Sequence, residues 1–312
     1  MNPQIKVIGV GGSGSNTVSR MAKFNIQGVE LVAVNTDAQA LHFVKGPKGY
    51  PNKILIGKNI TRGLGTGMDV ALGKRAAEES RKEISEKLKG ADMVFITGGM
   101  GGGTGSGASP TIAEISKGLG ILTIAVVTTP FSFEGEQRKK VAVQALEILK
   151  AQVDSLLVIS NDNLLKIIDE KTTVSNAFEI CDGILHEAVQ GITDLILVPG
   201  IINIDFASVV SIMKNSGHAL FGVGRATGEN RAVKAAESAI NSPLLDFSIK
   251  GAKGVLFSVF GNDITLNEIQ EAAKIITKSV DSKAQIIFGA VKDNSLRKGE
   301  IKITAIATSF GE

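Results

Sequence analysis

The sequence predicts a doubly wound α/β domain built on a parallel sheet, followed by one long helix and a smaller α+β layer. Three observations predict it. Continuous apolar runs alternate with amphipathic stretches through the first half; glycine-rich turns follow two of those runs; and beyond a long helical stripe the order of elements changes.

The runs IKVIGV (5–10), ELVAVN (30–35), MVFITGG (93–99), ILTIAVVTTP (121–130) and LLVIS (156–160) are apolar without alternation, as strands buried on both faces are. Helices are expected between them over 14–24, 69–89, 108–119 and 134–151, the second carrying the polar face EESRKEISEKLK. Val174, Phe178, Cys181, Leu185, Ala188, Ile192 and Leu195 then recur at alternating spacings of four and three, and Ile180, Ile184, Val189 and Ile196 widen the stripe. Such a helix is buried nearly all round, and its place is between two domains. Beyond Pro199 the expected order is a helix near 205–216, a strand in ALFGVG, a helix over 229–241, the strand GVLFSVF, a helix over 265–278, and the strands QIIFGAV and EIKITAIAT. The expected divisions are a first domain over 1–173, a central helix over 174–198 and a second domain over 199–312.

Composition narrows the function classes. A chain of 312 residues with 43% hydrophobic and 21% charged residues builds well-buried cores, and its length favours two domains. The 34 basic and 31 acidic residues are scattered, aromatics are 4%, and Trp is absent, so neither a basic stripe nor a stacking platform for nucleic acid is expected. Cys181 is the single cysteine, which excludes an intramolecular disulfide and a cysteine metal site; His42, His186 and His218 have no ligand-like spacing, so no metal site of protein side chains is expected. Nothing before the first strand resembles an export signal, and a reducing cytoplasm is the expected location. Apolar runs such as 192–202 are broken by Asp194, Pro199 and Gly200, so no membrane insertion is expected. Met21 and Met213 fall on apolar faces as core residues, and Lys82, Lys87 and Lys89 on a solvated, Glu-rich face.

Gly9-Val-Gly11-Gly12-Ser13-Gly14 is a G-x-G-x-x-G turn between a strand and a helix, with Asp37 after the second strand; taken alone it suits a nicotinamide or flavin cofactor. The stretch GGMGGGTGSG (98–107) holds seven glycines in ten residues, a costly run unless something approaches the main chain closely. A helix is expected to open after it, at Ala108 to Pro110, and its bare amides and dipole form an anion site. A dinucleotide enzyme needs one pyrophosphate loop. Two such loops, and a third turn at Gly63-Leu-Gly65-Thr66-Gly67 ahead of a helix near Asp69, suit a triphosphate. On this reading a side chain at Gly103 or Gly105 would fill space the phosphates need.

The loop Gly101-Gly-Gly-Thr104-Gly-Ser106-Gly107 resembles the signature loop of the tubulin and FtsZ superfamily. GVGGSGSN, NTDAQAL, TRGLGTG, PFSFEG, NDNLL, AVQGI, NIDFA and IIFGAV are similar to FtsZ in the same order, over essentially the whole chain. The resemblance implies the tubulin/FtsZ fold: a Rossmann-like GTPase domain, a long central helix and a C-terminal domain that carries the catalytic loop at its start. It implies a protein that binds GTP or GDP with Mg²⁺, with K⁺ as a candidate second ion, polymerises head to tail and hydrolyses GTP where subunits meet. It places that protein in the cytoplasm at the division site of bacteria or archaea, with itself, division proteins and membrane tethers as partners.

Residue by residue, the resemblance assigns Gly11, Gly12, Ser13, Thr66, Gly67, Gly99, Gly101, Gly102, Gly103, Thr104, Gly105 and Ser106 to the phosphate loops. It assigns Glu134 and Arg138 to the ribose, Phe178 to stacking on the base, and Asn16, Asn161 and Asp182 to polar contacts with the nucleoside. An ionised Asp182 only accepts hydrogen bonds, so it pairs with N1–H and the exocyclic amine of guanine, while adenine presents an acceptor at N1. Bland readings stand beside these roles: Phe178 lies on the apolar stripe as core, and Glu134 and Arg138 at i, i+4 match a surface ion pair worth about 0.3–0.5 kcal/mol.

Asn203-Ile-Asp205-Phe-Ala-Ser208 resembles the loop FtsZ inserts into its neighbour's site, which makes Asn203, Asp205 and Ser208 the catalytic candidates; Asp205 also suits a helix N-cap. The family pattern is N-x-D-F-A-D, and Ser208 stands in place of the second acid. Met68 and Asp69 replace a usual Gly-Asn pair, and Ser13 and Ser15 replace glycines. The sequence closes at Glu312 after the last strand without the terminal peptide that most FtsZ proteins use to meet tethers, which implies a trimmed chain or partners that bind elsewhere. Two alternatives remain: a GTP-binding filament scaffold with weak or no hydrolysis, motivated by Ser208, and an NAD-dependent oxidoreductase resting on residues 9–14 alone.

Overall fold

The structure is a computed structural model that describes residues 3–24, 28–47, 50–166, 168–169, 171–242 and 248–310. It divides into two compact units, Met1–Gln190 and Gly191–Glu312.

The first unit runs β1 (Ile5–Val10), α1 (Gly11–Phe24), β2 (Val29–Asn35), α2 (Ala38–Phe43), β3 (Asn52–Leu55), α3 (Val70–Glu79), α4 (Arg81–Leu88), β4 (Met93–Gly99), α5 (Gly103–Gly118), β5 (Leu122–Thr129), α6 (Glu136–Gln152), β6 (Ser155–Ser160) and α7 (Asn161–Leu164). The long α8 (Val174–Leu197) begins in this unit. The strands lie in the order β3-β2-β1-β4-β5-β6, and every pairing is parallel. The unbroken apolar runs have their physical reason here: Val7, Leu31, Val32, Val94, Phe95, Ile124 and Val126 are fully buried because helices cover both faces.

Several elements differ from the sequence expectation. The helix expected over 69–89 is two helices, broken at Ser80, whose hydroxyl accepts from Gly57 N at 3.2 Å. The strand β3 and the short α2 fall where no periodicity marks them, since β3 is a four-residue edge strand held mainly by its register against β2.

The second unit continues with α9 (Phe206–Met213), β7 (Gly217–Thr227), α10 (Arg231–Ile240), β8 (Ala252–Gly261), α11 (Leu266–Lys278), β9 (Gln285–Lys292) and β10 (Glu300–Phe310). Its strands lie in the order β7-β10-β8-β9, with β10 antiparallel to both neighbours and β8 parallel to β9. The glycines of ALFGVG are packing residues: a Cβ on Gly222 or Gly224 would run into the carbonyls of Ala239 and Ala235, because the alanine face of α10 lies directly on β7. Met21 and Met213 are both fully buried. Among the described residues no helix is long and apolar enough to cross a membrane.

Candidate functional site

In a sheet of order 3-2-1-4-5-6 the connections from β1 and β4 leave toward opposite faces, and ligands bind at the carboxyl ends of those two strands. The sequence puts a glycine-rich turn at each end. Gly11, with φ +74°, opens α1 immediately after β1.

The second glycine run divides into three pieces. Gly98 and Gly99 finish β4, residues 100–102 make the turn, and Gly103 already belongs to α5, five residues ahead of the Ala108 start expected from propensity. Glycine disfavours helix by about 1 kcal/mol per residue, and here tertiary contact overrides it. A Cβ on Gly103 would meet Thr66 Oγ1 and, at 2.8 Å, Asp69 N; one on Gly105 would lie 2.5 Å from Gly99 O; one on Gly107 would lie 2.7 Å from Lys74 N. A Cβ on Gly73 would strike the Gly103 carbonyl, and one on Gly11 would sit 3.0 Å from Gly105 N. These glycines let α1, α3 and α5 approach one another. The expectation that Gly103 and Gly105 reserve room for phosphate is therefore corrected: their open side is filled by protein. The open positions are Gly12, Gly67 and Gly102, where a Cβ would have nothing within 4 Å.

Three hydroxyls meet where the three turns converge. Thr104 Oγ1 lies 2.7 Å from Thr36 Oγ1 and 3.2 Å from Thr66 Oγ1, and all three side chains are buried. Thr36 follows β2 within NTDAQAL and was not singled out by the sequence; Asn35 Oδ1 accepts from its N–H at 2.8 Å. Asp37 caps α2 by accepting from Ala40 N at 3.0 Å, and Ala38 N donates to Gly63 O, tying the third turn to the start of α2. Ser106 Oγ accepts from Gly101 N at 2.9 Å and closes the 98–107 turn from inside. Ser13 is half-buried against Gly99, and Asn16 is exposed on the next turn of α1.

The nucleoside candidates gather on the 131–138 segment, α7 and α8. Phe131 is buried and stacks on Phe133 at 4.9 Å between ring centroids, while Phe178 meets its edge at 5.5 Å. Phe178 is 41% exposed, so its ring is an open apolar surface and not the core position its stripe suggests. Both Glu134 oxygens are engaged, Oε1 accepting from Phe131 N and Oε2 from Arg138 Nη1, each at 2.9 Å. Asp162 accepts from Ser132 N at 2.8 Å and pins the same turn. Asn161 is 4% exposed, and its Oδ1 has no hydrogen-bond partner among the described residues. An unsatisfied buried acceptor costs about 1–3 kcal/mol, so this atom suits a donor supplied by a ligand.

Asp182 is 7% exposed. Thr17 Oγ1 donates to its Oδ1 at 3.0 Å, and Arg20 Nη2 lies 3.7 Å from its Oδ2. Burial pushes the carboxyl up to about 6, against the opposing pull of Thr17 and Arg20. Thr17 and Arg20 escaped the sequence reading because nothing in sequence connects α1 with a carboxylate on α8; the adjacency of Thr17 to GSGSN is the one signal present. Open main-chain turns at Gly12 and Gly102, an unsatisfied acceptor at Asn161 and a buried acceptor-only group at Asp182 fit a guanine nucleotide.

In the second unit, Asn203 Oδ1 accepts from Gly200 N at 2.6 Å, and Ile202 bridges to Ala290. Asp205 is exposed and caps α9, its Oδ1 accepting from Ser208 N at 2.6 Å. The Ser208 N–H and hydroxyl hold the Asp205 carboxyl below the usual carboxylate range.

Residues 4–169 match the family model of the Tubulin/FtsZ family, GTPase domain, and residues 217–311 match that of the FtsZ family, C-terminal domain. Among solved structures, an empty FtsZ dimer from M. jannaschii is 44% identical, with a TM-score of 0.92 over 99% of this chain and 88% of that one. A GDP-bound CetZ1 monomer from Haloferax volcanii is 21% identical with a TM-score of 0.86 over 99% and 95% of the two chains. A CetZ2 protofilament with GTPγS bound, from the same organism, is 22% identical with a TM-score of 0.82 over 97% and 92%; at these identities the CetZ proteins share the fold. With both domain models matched in order and an FtsZ at 44% identity over nearly its full length, the chain belongs to the FtsZ family of tubulin-like GTPases.

Proposed function

We propose that this protein binds GTP at the β1/β4 ends, polymerises head to tail, and hydrolyses GTP with the 203–208 loop of a neighbouring subunit, in the cytoplasm at the site of cell division. The observation that carries the reading is the convergence of three glycine turns on Thr36, Thr66 and Thr104, with open backbone at Gly12, Gly67 and Gly102 around it. Main-chain amides and the start of α5 hold the phosphates, Phe178 offers a face to the base, and Asp182 accepts from guanine. Mg²⁺, when bound, would neutralise part of the phosphate charge, and the hydroxyls of Thr36, Thr66 and Thr104 would be candidates to help hold it; K⁺ is a second candidate ion. The FtsZ dimer among the similar structures supports self-association as the mode of assembly. Division proteins and membrane tethers are the further partners proposed. Phosphate release measured against protein concentration tests this reading, because a site completed by a second subunit loses turnover on dilution.

A second reading, a GTP-binding scaffold with slow hydrolysis, is favoured by the state of Asp205. A carboxylate held below the usual range by Ser208 is a weaker base for the attacking water, and Ser208 supplies no second carboxylate. Filaments that form at the usual rate and persist after GTP is added would favour it.

A further inference from the structure

We infer that Thr17 is a specificity-positioning residue: its hydroxyl fixes the Asp182 carboxylate in the ionised, correctly oriented form that discriminates guanine from adenine. The inference rests on the reading that Asp182 recognises the base.

Thr17 is fully buried in α1, and its one hydroxyl proton stands before two acceptors, Ser13 O at 3.1 Å and Asp182 Oδ1 at 3.0 Å. It can serve only one at a time. Ser13 lies four residues earlier in the same helix, where the backbone N–H of Thr17 already stands in donor position, so the carbonyl is satisfied without the hydroxyl. A charge-assisted bond to a carboxylate is shorter and stronger than a neutral one, so the hydroxyl donates to ionised Asp182.

The other groups around Asp182 do not substitute for this bond. Arg20 Nη2 at 3.7 Å is beyond hydrogen-bond length, and Arg20 also reaches Glu179 Oε2 at 3.9 Å. Glu179 on the same helix opposes ionisation, Cys181 is a neutral thiol pushed up to about 12, and burial holds His186 below its usual value and so toward the neutral form. Among the described residues Thr17 is therefore the hydrogen-bond donor that restrains how the carboxylate turns. A two-point contact to N1–H and the exocyclic amine requires the plane of the carboxylate to be fixed, because both oxygens must be aimed at once.

The test measures GTP and ATP affinity from pH 5 to 8 in the wild type and in Thr17→Val, Thr17→Ser and Asp182→Ala. The ratio of the two nucleotides cancels the titration of the phosphates, which both share. The inference expects Thr17→Val to lower GTP affinity about tenfold at neutral pH with ATP little changed. It also expects the pH at which the GTP:ATP ratio collapses to rise by about half a unit or more, and Thr17→Ser to restore both. A uniform loss for both nucleotides at an unmoved pH would reduce Thr17 to a packing residue and overturn the inference. If Asp182→Ala itself keeps the GTP:ATP ratio, the base-recognition reading fails instead, and the two failures are told apart by that variant.

Discussion

Ser208 N–H donates to Asp205 Oδ1 at 2.6 Å, so the residue proposed as catalyst also caps α9. The two roles separate by substitution. Asn caps a helix about as well as Asp, whereas Ala loses about 1 kcal/mol of cap. Asp205→Asn is expected to leave the melting temperature and GTP binding unchanged and to slow phosphate release about 10²- to 10⁴-fold, the range for removing a positioned base. Release at the wild-type rate in Asp205→Asn would confine Asp205 to capping.

Ser208 occupies the third position of that helix, where a carboxylate would sit beside Asp205. Ser208→Asp removes the hydroxyl that holds Asp205 low and adds a second acceptor for water. Phosphate release from assembled protein is expected to rise while GTP affinity of the dilute protein stays the same. An unchanged assembled-state rate would show that the missing acid does not limit turnover.

The glycines of the 9–14 and 98–107 turns should fall into two classes. Gly105→Ser puts side-chain atoms against Gly99 O and is expected to lower the melting temperature without any nucleotide present. Gly12→Ala and Gly102→Ala meet no protein atom within 4 Å; they are expected to keep the melting temperature and to weaken GTP binding. Fluorescent GTP titrations paired with nucleotide-free thermal melts separate the classes, and equal destabilisation by all three would remove the distinction.

Asp182 carries a sign that stability measurements can check. Its folded value, about 6, lies above the ordinary 3.8, so the folded chain holds a proton that the unfolded chain releases. Its favourable contribution is complete below about pH 4 and lost as pH rises through 6. Nucleotide-free Asp182→Asn is therefore expected to be more stable than the wild type at pH 8, with the gap closing by pH 4; a gap independent of pH would mean the carboxyl is not raised.

Phe178 is half-exposed on α8, so Phe178→Ala is expected to cost clearly less than the roughly 3–5 kcal/mol of a buried phenylalanine such as Phe95. GTP affinity should drop by about 1–3 kcal/mol, the usual worth of an aromatic stacked on a base. Loss of stability without loss of affinity would return Phe178 to the packing role its periodicity suggests.

The parallel sheet, the positions of all its strands except the edge strand β3, and the helix 174–197 were legible because buried strands and a buried helix leave unbroken or periodic apolar patterns. The start of α5 was not, because propensity argues against a helix at Gly103-Thr-Gly-Ser-Gly while its reason for forming lies in α1 and α3. The glycine turns themselves were legible as motif. Thr17 and Thr36 were not, since their roles arise from pairings 165 and 68 residues apart that no local pattern records. Phe178 shows the converse: its stripe position pointed to the core, and the cluster with Phe131 leaves it open.

The central claim is that one subunit's Asp205 loop completes the site of another, and phosphate release per subunit against protein concentration tests it most directly. The account predicts negligible release at low concentration, with release and light scattering rising together above one critical concentration after GTP is added. Release per subunit that stays constant on dilution would contradict it, because the site would then be complete within a single chain.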